Sequence, residues 1–199
     1  MLSLLLPLIG FAVVTLFTPG PNNMMLTTSG LNFGFRRSIP HIAGIAVGFP
    51  LMVLLVGWGL AGLFATSETL HKVLKVVGTL YLLYLAYKIG SAEPKIDEGE
   101  RCAKPMSFWQ AAAFQWVNPK GWIMAVSAAT SFTTINGDNF REVLVIGAVF
   151  FVFGIPSSAV WCAFGMMIRR WLTASHHIRA FNIAMALALV ASIVPMVME

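Results

Sequence analysis

The stretch TPGPNN, at residues 18–23, interrupts a run of apolar residues near the start of the chain, and WVNPKG, at residues 116–121, interrupts a second run. Pro21 and Pro119 lie 98 positions apart in a chain of 199 residues, so the interruptions occupy matching places in its two halves. Matched interruptions of this kind in a membrane protein are typical of a transporter binding site. If the chain is a membrane protein, the two stretches therefore predict the position of a transporter binding site.

The composition also indicates a membrane protein. Apolar residues make up 58% of the chain and charged residues 11%, whereas an average soluble domain has roughly 25% charged residues. A membrane-spanning helix needs about 20 mainly apolar residues, because the hydrocarbon core is about 30 Å thick and each helical residue rises about 1.5 Å. Six segments meet this requirement, at about residues 2–26, 39–64, 70–89, 108–132, 143–168 and 181–198.

The six segments predict an all-α, polytopic fold. Hydrocarbon offers the backbone no hydrogen-bond partner, so each segment must be helical. Because three is odd, a second set of three helices enters the membrane from the opposite side, which gives a 3+3 inverted-topology repeat. Segments 1 and 4 then correspond as broken helices, and segments 2 and 5 correspond through Pro50 and Pro156. We expect one integral domain over residues 1–199, with repeats at about 1–90 and 108–199 and a cytoplasmic connector at about 91–107.

Positive charge lies mainly on one predicted side of the membrane. The loops after segments 1, 3 and 5 carry nine Lys and Arg residues, whereas the opposite side carries Lys72, Lys75 and Arg141. The positive-inside rule makes the nine-residue side cytoplasmic and places both termini in the periplasm or outside the cell. The same asymmetry accounts for the net charge of +5. The sequence contains no basic stripe with interleaved aromatic residues, so it does not predict nucleic-acid binding.

The first interruption supplies polar groups at membrane depth. Pro19 and Pro21 lack N–H groups and clash with upstream carbonyls, so a helix must open around them, and Gly20 tolerates backbone conformations that bulkier residues avoid. The freed backbone groups require protein or a watery cavity beside them. Asn22 and Asn23 either cap the restarted helix or bind a zwitterion through their amides. A helix N-terminus at this depth favours a substrate carboxylate.

The second interruption adds a charge. Lys120 lies well inside segment 4, where a charged side chain costs about 3 kcal/mol on insertion scales, so a functional role is the default interpretation. We expect Lys120 or a helix end to receive the substrate carboxylate, and freed carbonyls or Asn oxygens to receive its ammonium. A structural alternative stays open, in which Lys120 donates to carbonyls freed by the opposite break. Gln115 likewise has two interpretations, as a ligand or as a hydrogen bond between helices.

Catalytic, metal and cofactor sites are not predicted. Cys102 and Cys162 form no Cys-x-x-Cys pair or Cys/His cluster, so zinc and thiol-relay chemistry lack ligands. A thiol-electron conduit would need paired cysteines within the membrane. The predicted segments contain no Asp or Glu, and no ATP-binding motif is present. A passive channel for small solutes and a membrane scaffold without transport remain as alternatives to a transporter.

The interrupted segments resemble the LysE/RhtB family of bacterial amino-acid exporters. TPGPN at residues 18–22, followed by GFR at 34–36 and the segment with Gly44 and Gly48, is similar to that family's N-terminal signature. FW at residues 108–109, followed by Gln115 and NPK at 118–120, resembles its second-half signature. The resemblance covers essentially the whole chain. It implies export of amino acids or close derivatives across the bacterial inner membrane, coupled to a proton or ion gradient.

Within that family, the chain looks most similar to the branch that exports cysteine, O-acetylserine or neutral amino acids. The expected partners are an amino-acid substrate and membrane lipid, and a homo-oligomer is left open. Since the segments hold no carboxylate, the sequence identifies no proton carrier. Together, the residues and the resemblance predict a substrate site formed by Pro19, Gly20, Pro21, Asn22, Asn23, Gln115, Asn118, Pro119 and Lys120.

Overall fold

The fold is all-helical, as predicted, throughout the residues that the computed structural model describes, which are 2–60, 68–92, 104–134, 138–172 and 174–194. Cys102 and most of the predicted connector lie outside these ranges. The described α-helices are α1 (Leu2–Phe17), α2 (Pro21–Leu55), α3 (Glu68–Gly90), α4 (Phe108–Phe114), α5 (Pro119–Phe132), α6 (Asn139–Trp171) and α7 (Ser175–Ala191). A π-helical turn, Val56–Leu60, extends α2, and a 3-10 turn, Gln115–Val117, follows α4.

Two of the helices are long and apolar enough to cross a membrane by themselves. They are Pro21–Gly59, with a mean hydropathy of 2.1, and Asn139–Trp171, with a mean hydropathy of 2.3. Leu4–Phe17 is a shorter apolar helix. This criterion rests on length and composition alone, so the six-span arrangement stays a prediction.

Helices end and restart at both proline stretches. Helix α1 ends at Phe17 and α2 begins at Pro21, while Gly20 between them is fully extended (φ −176°, ψ 177°). In the second stretch, the 3-10 turn ends at Val117, Asn118 is extended, and α5 begins at Pro119. Proline suits the first position of a helix, because the N–H that it lacks would have no intrahelical acceptor there.

Gly34 changes the direction of the chain where the sequence predicted a loop between segments 1 and 2. Helical structure continues through Pro21–Leu55, and Gly34 alone has non-helical angles (φ 77°, ψ 172°). A positive φ of this kind favours glycine. The Ser38 hydroxyl donates to the Gly34 carbonyl at 2.9 Å, and the Arg169 guanidinium donates to the Leu31 carbonyl at 3.1 Å. These donors satisfy backbone carbonyls around the kink.

Helices α2 and α6 touch backbone to backbone through two glycines. A Cβ added to Gly30 would overlap the carbonyl oxygen of Cys162, and a Cβ added to Gly165 would overlap that of Thr27. Small residues allow this close approach in membrane helices. Gly48 plays the same part between α2 and α4, because its Cβ would lie 2.6 Å from the Ala112 Cα.

The helices pack around the two restart points. A buried cluster at one end joins α1, α2, α5 and α6, and within it the rings of Phe49 and Phe150 meet edge to face at 5.1 Å between centroids. At the other end, Asn32 and Asn182 form a reciprocal amide pair, with N–O distances of 3.0 and 3.3 Å. The restart points lie between these two ends and face each other.

Candidate functional site

A pocket lies between the two restart points. It contains about 420 Å³ of space free of atoms, including the part open to solvent. Five of the nine predicted site residues line it: Gly20, Asn22, Asn23, Asn118 and Lys120. The structure thus brings together residues that are about half a chain apart in sequence.

Lys120 bridges the two breaks. Its Nζ donates to the Thr18 carbonyl at 2.6 Å and approaches the Pro19 carbonyl at 3.4 Å. Gly20 makes room for this side chain, since a Cβ there would lie 2.6 Å from the Lys120 Cδ. The contact with freed carbonyls is the one expected for the structural alternative. An ammonium has three N–H donors, so one remains available beyond these two contacts, and a ligand role for Lys120 stays a prediction.

Asn22 and Gln115 join the two breaks through a second polar contact. The Asn22 amide donates to Gln115 Oε1 at 2.8 Å, and the Gln115 amide donates to Asn22 Oδ1 at 3.2 Å. Gln115 also donates to the Ala111 carbonyl at 2.8 Å and is completely buried. Gln115 therefore forms hydrogen bonds between helices, which was one of its two interpretations. It lies outside the pocket lining and holds the Asn22 side chain in place.

Asn23 supports the end of α1. Its amide donates to the Leu16 carbonyl at 3.0 Å and to the Thr18 carbonyl at 2.7 Å. Ser157 of α6 also donates to the Leu16 carbonyl, at 2.9 Å. The last carbonyls of a helix lack intrahelical donors, and these side chains supply them.

Two helix N-termini without side-chain caps border the pocket. Neither Gly20 before α2 nor Asn118 before α5 caps its helix with a side-chain hydrogen bond. The N–H groups of the first helical turn lack intrahelical acceptors, and residues from both first turns line the pocket. Helix N-termini carry partial positive charge and bind carboxylates and phosphates. Together with the Lys120 ammonium, they favour an anionic group in this pocket.

Asn118 contributes an acceptor that the protein leaves unused. The residue is 3% exposed, and its Oδ1 atom has no hydrogen-bond partner within the described chain. Buried acceptors are normally paired with protein or water.

The remaining predicted residues shape the site without lining it. Pro19 supplies a carbonyl to Lys120, whereas Pro21 and Pro119 begin the two helices. Sequence reasoning missed eight lining residues, which are Thr15, Leu16, Ile45, Phe49, Gly121, Met124, Ser157 and Ser158. A signal was present for two of them, because Phe49 immediately precedes Pro50 and Ser157 immediately follows Pro156, the prolines that match segments 2 and 5.

Side chains able to hold a metal do not cluster in the described ranges, where no group of three or more His, Cys, Asp or Glu residues occurs. The polar groups at the pocket are instead amides, hydroxyls, helix ends and one ammonium. Groups of this kind bind and orient charged small molecules in protein pockets.

An all-helical chain with a polar pocket between two interrupted apolar segments is typical of membrane transport proteins. The model of the LysE type translocator family matches residues 13–196, so the chain belongs to that family. The resemblance predicted from the two motifs is thereby confirmed. The family is a class of translocators rather than of enzymes.

Relatives of similar length have curated names. The chain is 32% identical over 181 residues, 90% of each chain, to the cysteine/O-acetylserine efflux protein of Salmonella choleraesuis (strain SC-B67). It is 30% identical over 180 residues, again 90% of each chain, to the protein of the same name from Escherichia coli (strain K12). No solved structure matches the chain.

Proposed function

We propose that the protein is a secondary transporter that exports small amino acids or close derivatives across the bacterial inner membrane. The observation that carries this proposal is the pocket, where two uncapped helix N-termini and Lys120 surround one cavity. A zwitterion is the ligand that fits both this positive potential and the unused Asn118 acceptor. The names of the relatives, which refer to cysteine and O-acetylserine efflux, support a small amino acid.

The proposed architecture has six spans in a 3+3 inverted repeat. Helix α1 and α2 up to Gly34 form a broken first span, and the rest of α2 forms the second. Helix α3 is the third span, α4 and α5 form a broken fourth span, and α6 and α7 are the fifth and sixth. Length supports the division of α2, because its 35 residues would extend about 50 Å as one helix, well beyond a hydrocarbon core of about 30 Å. Both termini lie outside the cytoplasm.

On substrate binding, the substrate ammonium takes the place of the Lys120 ammonium at the Thr18 carbonyl. Lys120 Nζ donates to the Thr18 carbonyl, as a substrate ammonium would. We propose that a bound amino acid places its ammonium among the Thr18 and Pro19 carbonyls and Asn118 Oδ1, while Lys120 turns to its carboxylate. The carboxylate also meets the N–H groups at the starts of α2 and α5.

Alternating access would open one end of the helix assembly at a time. The Asn32–Asn182 amide pair and the Arg169 contact close the end that we assign to the cytoplasm. The buried cluster of α1, α2, α5 and α6 closes the opposite end. Export driven by a proton or ion gradient requires that these two closures separate in turn, with the pocket between them.

Accumulation in everted membrane vesicles tests this function and separates it from the alternatives. We expect energised vesicles that contain the protein to accumulate labelled cysteine or serine above the external concentration, and a protonophore or ionophore to abolish the gain. Vesicles without the protein are the control. A passive channel would only equilibrate the label, and a scaffold would move none, so either result would reject the coupled exporter.

A further inference from the structure

Two adjacent serines on α6 line the pocket but differ in their partners. Ser157 and Ser158 follow Pro156 and are 2% and 4% exposed. The Ser157 hydroxyl donates to the Leu16 carbonyl at 2.9 Å. The Ser158 hydroxyl makes no hydrogen bond to any residue that the structure describes. The Ser157 hydroxyl therefore bonds to the protein, and the Ser158 hydroxyl does not.

The Ser158 hydroxyl differs from other buried hydroxyls of this protein, because it has no hydrogen-bond partner among the described residues. Buried hydroxyls in helices normally bond to the carbonyl four residues earlier, as Thr27 does with Asn23 at 2.9 Å and Thr28 does with Met24 at 2.9 Å. Ser158 Oγ is not among the fully buried side-chain atoms that lack a partner, so this oxygen is open to the pocket that the residue lines. A ligand in the pocket can therefore form a hydrogen bond with it.

The other polar side chains of the pocket are largely engaged. Thr15 donates to the Phe11 carbonyl at 2.7 Å, and Asn22, Asn23 and Lys120 have the partners described above. Ser158 and Asn118 are the polar lining residues whose side chains form no hydrogen bond within the described residues. Asn118 Oδ1 is only an acceptor and suits an ammonium. A hydroxyl both donates and accepts, so it suits a neutral polar group.

We propose that Ser158 is a specificity-determining residue that binds the heteroatom on the β-carbon of the substrate, which is a hydroxyl, a thiol or an ester oxygen. This inference rests on the proposed function and names the substrate class of the same site. Apolar side chains of Ile45, Phe49 and Met124 complete the wall, and they favour a short side chain. A site built to hydrogen-bond a substrate group discriminates against an analogue that lacks it.

Cysteine and 2-aminobutyrate test this proposal, because they differ only by a thiol in place of a methyl group. Everted vesicles with the full-length protein would be given both compounds in competition, at equal membrane abundance of each variant. We expect Ser158→Ala to transport 2-aminobutyrate as the wild type does and to lose about threefold in its preference for cysteine, because a thiol forms only a weak hydrogen bond. Ser158→Thr, which keeps the hydroxyl, should retain the preference.

Thr28→Ala is the control, because it removes a buried hydroxyl that bonds to its own helix at the Met24 carbonyl and lies outside the pocket lining. It should keep the wild-type preference for cysteine even where its membrane abundance falls. An unchanged preference in Ser158→Ala, an equal loss of both compounds, or a changed preference in Thr28→Ala would overturn the role of Ser158 and leave the exporter standing. A wild type that accumulates neither compound nor any other amino acid would overturn the proposed function itself.

Discussion

Replacing Lys120 with methionine is expected to abolish export while leaving the protein folded in the membrane. The variant loses the only ammonium that lines the pocket among the described residues. Hydrogen bonds to charged groups contribute about 1.5–3 kcal/mol each, so we expect initial export rates to fall roughly a hundredfold. Folding should survive, because the Thr18 carbonyl keeps its bond from Asn23 at 2.7 Å.

The measurement is the initial rate of labelled amino-acid efflux, normalised to the abundance of the protein in the membrane. Lys104→Met is the matched control, since Lys104 is exposed and precedes α4, and it should export at the wild-type rate. Normal export by Lys120→Met would refute the ligand role and leave Lys120 as a structural bridge between the breaks.

Replacing Gly165 with alanine is expected to destabilise the fold strongly. The new Cβ would overlap the Thr27 carbonyl oxygen and lie 2.8 Å from its carbon and 2.9 Å from the Leu31 nitrogen. All three are backbone atoms of α2, so no side chain can rotate away. Overpacking typically costs about 1–3 kcal/mol, and we expect the upper end of that range. Thermal unfolding of the purified protein, together with its membrane abundance, measures the loss.

Gly154→Ala provides the matched control on the same helix. A Cβ there would meet no atom within 4 Å, so the change should be within about 0.5 kcal/mol of wild type. If Gly165→Ala unfolds at the wild-type temperature, the close contact between α2 and α6 is not present in the folded protein.

The positions of the breaks followed from the sequence because proline acts through local chemistry. A ring without an N–H cannot continue a helix from the preceding turn, so the restart points near Pro21 and Pro119 are visible without a structure. The turn at Gly34 was not visible in the same way. A single glycine with positive φ redirects the chain there, and an apolar pattern does not distinguish such a glycine from one that stays helical.

The meeting of the two breaks was predictable in part for a related reason. Pairing the two halves of the chain places the break residues opposite each other, and Asn22, Asn118 and Lys120 do line one pocket. That a substrate binds there stays a prediction. Their present partners were not predictable, since Lys120 bonds to backbone carbonyls, and every residue has a carbonyl. Ser158 escaped notice because a serine in an apolar helix ordinarily bonds to its own backbone.

Substrate exchange by the purified protein in lipid vesicles tests most directly whether the pocket between the two breaks is the transport site. Vesicles loaded with unlabelled cysteine would receive labelled cysteine outside, with wild type, Asn22→Ala and Lys120→Met compared at equal protein content. The account predicts rapid uptake of label by the wild type and little by either variant. Exchange at the wild-type rate in both variants would contradict it and place the transport site elsewhere.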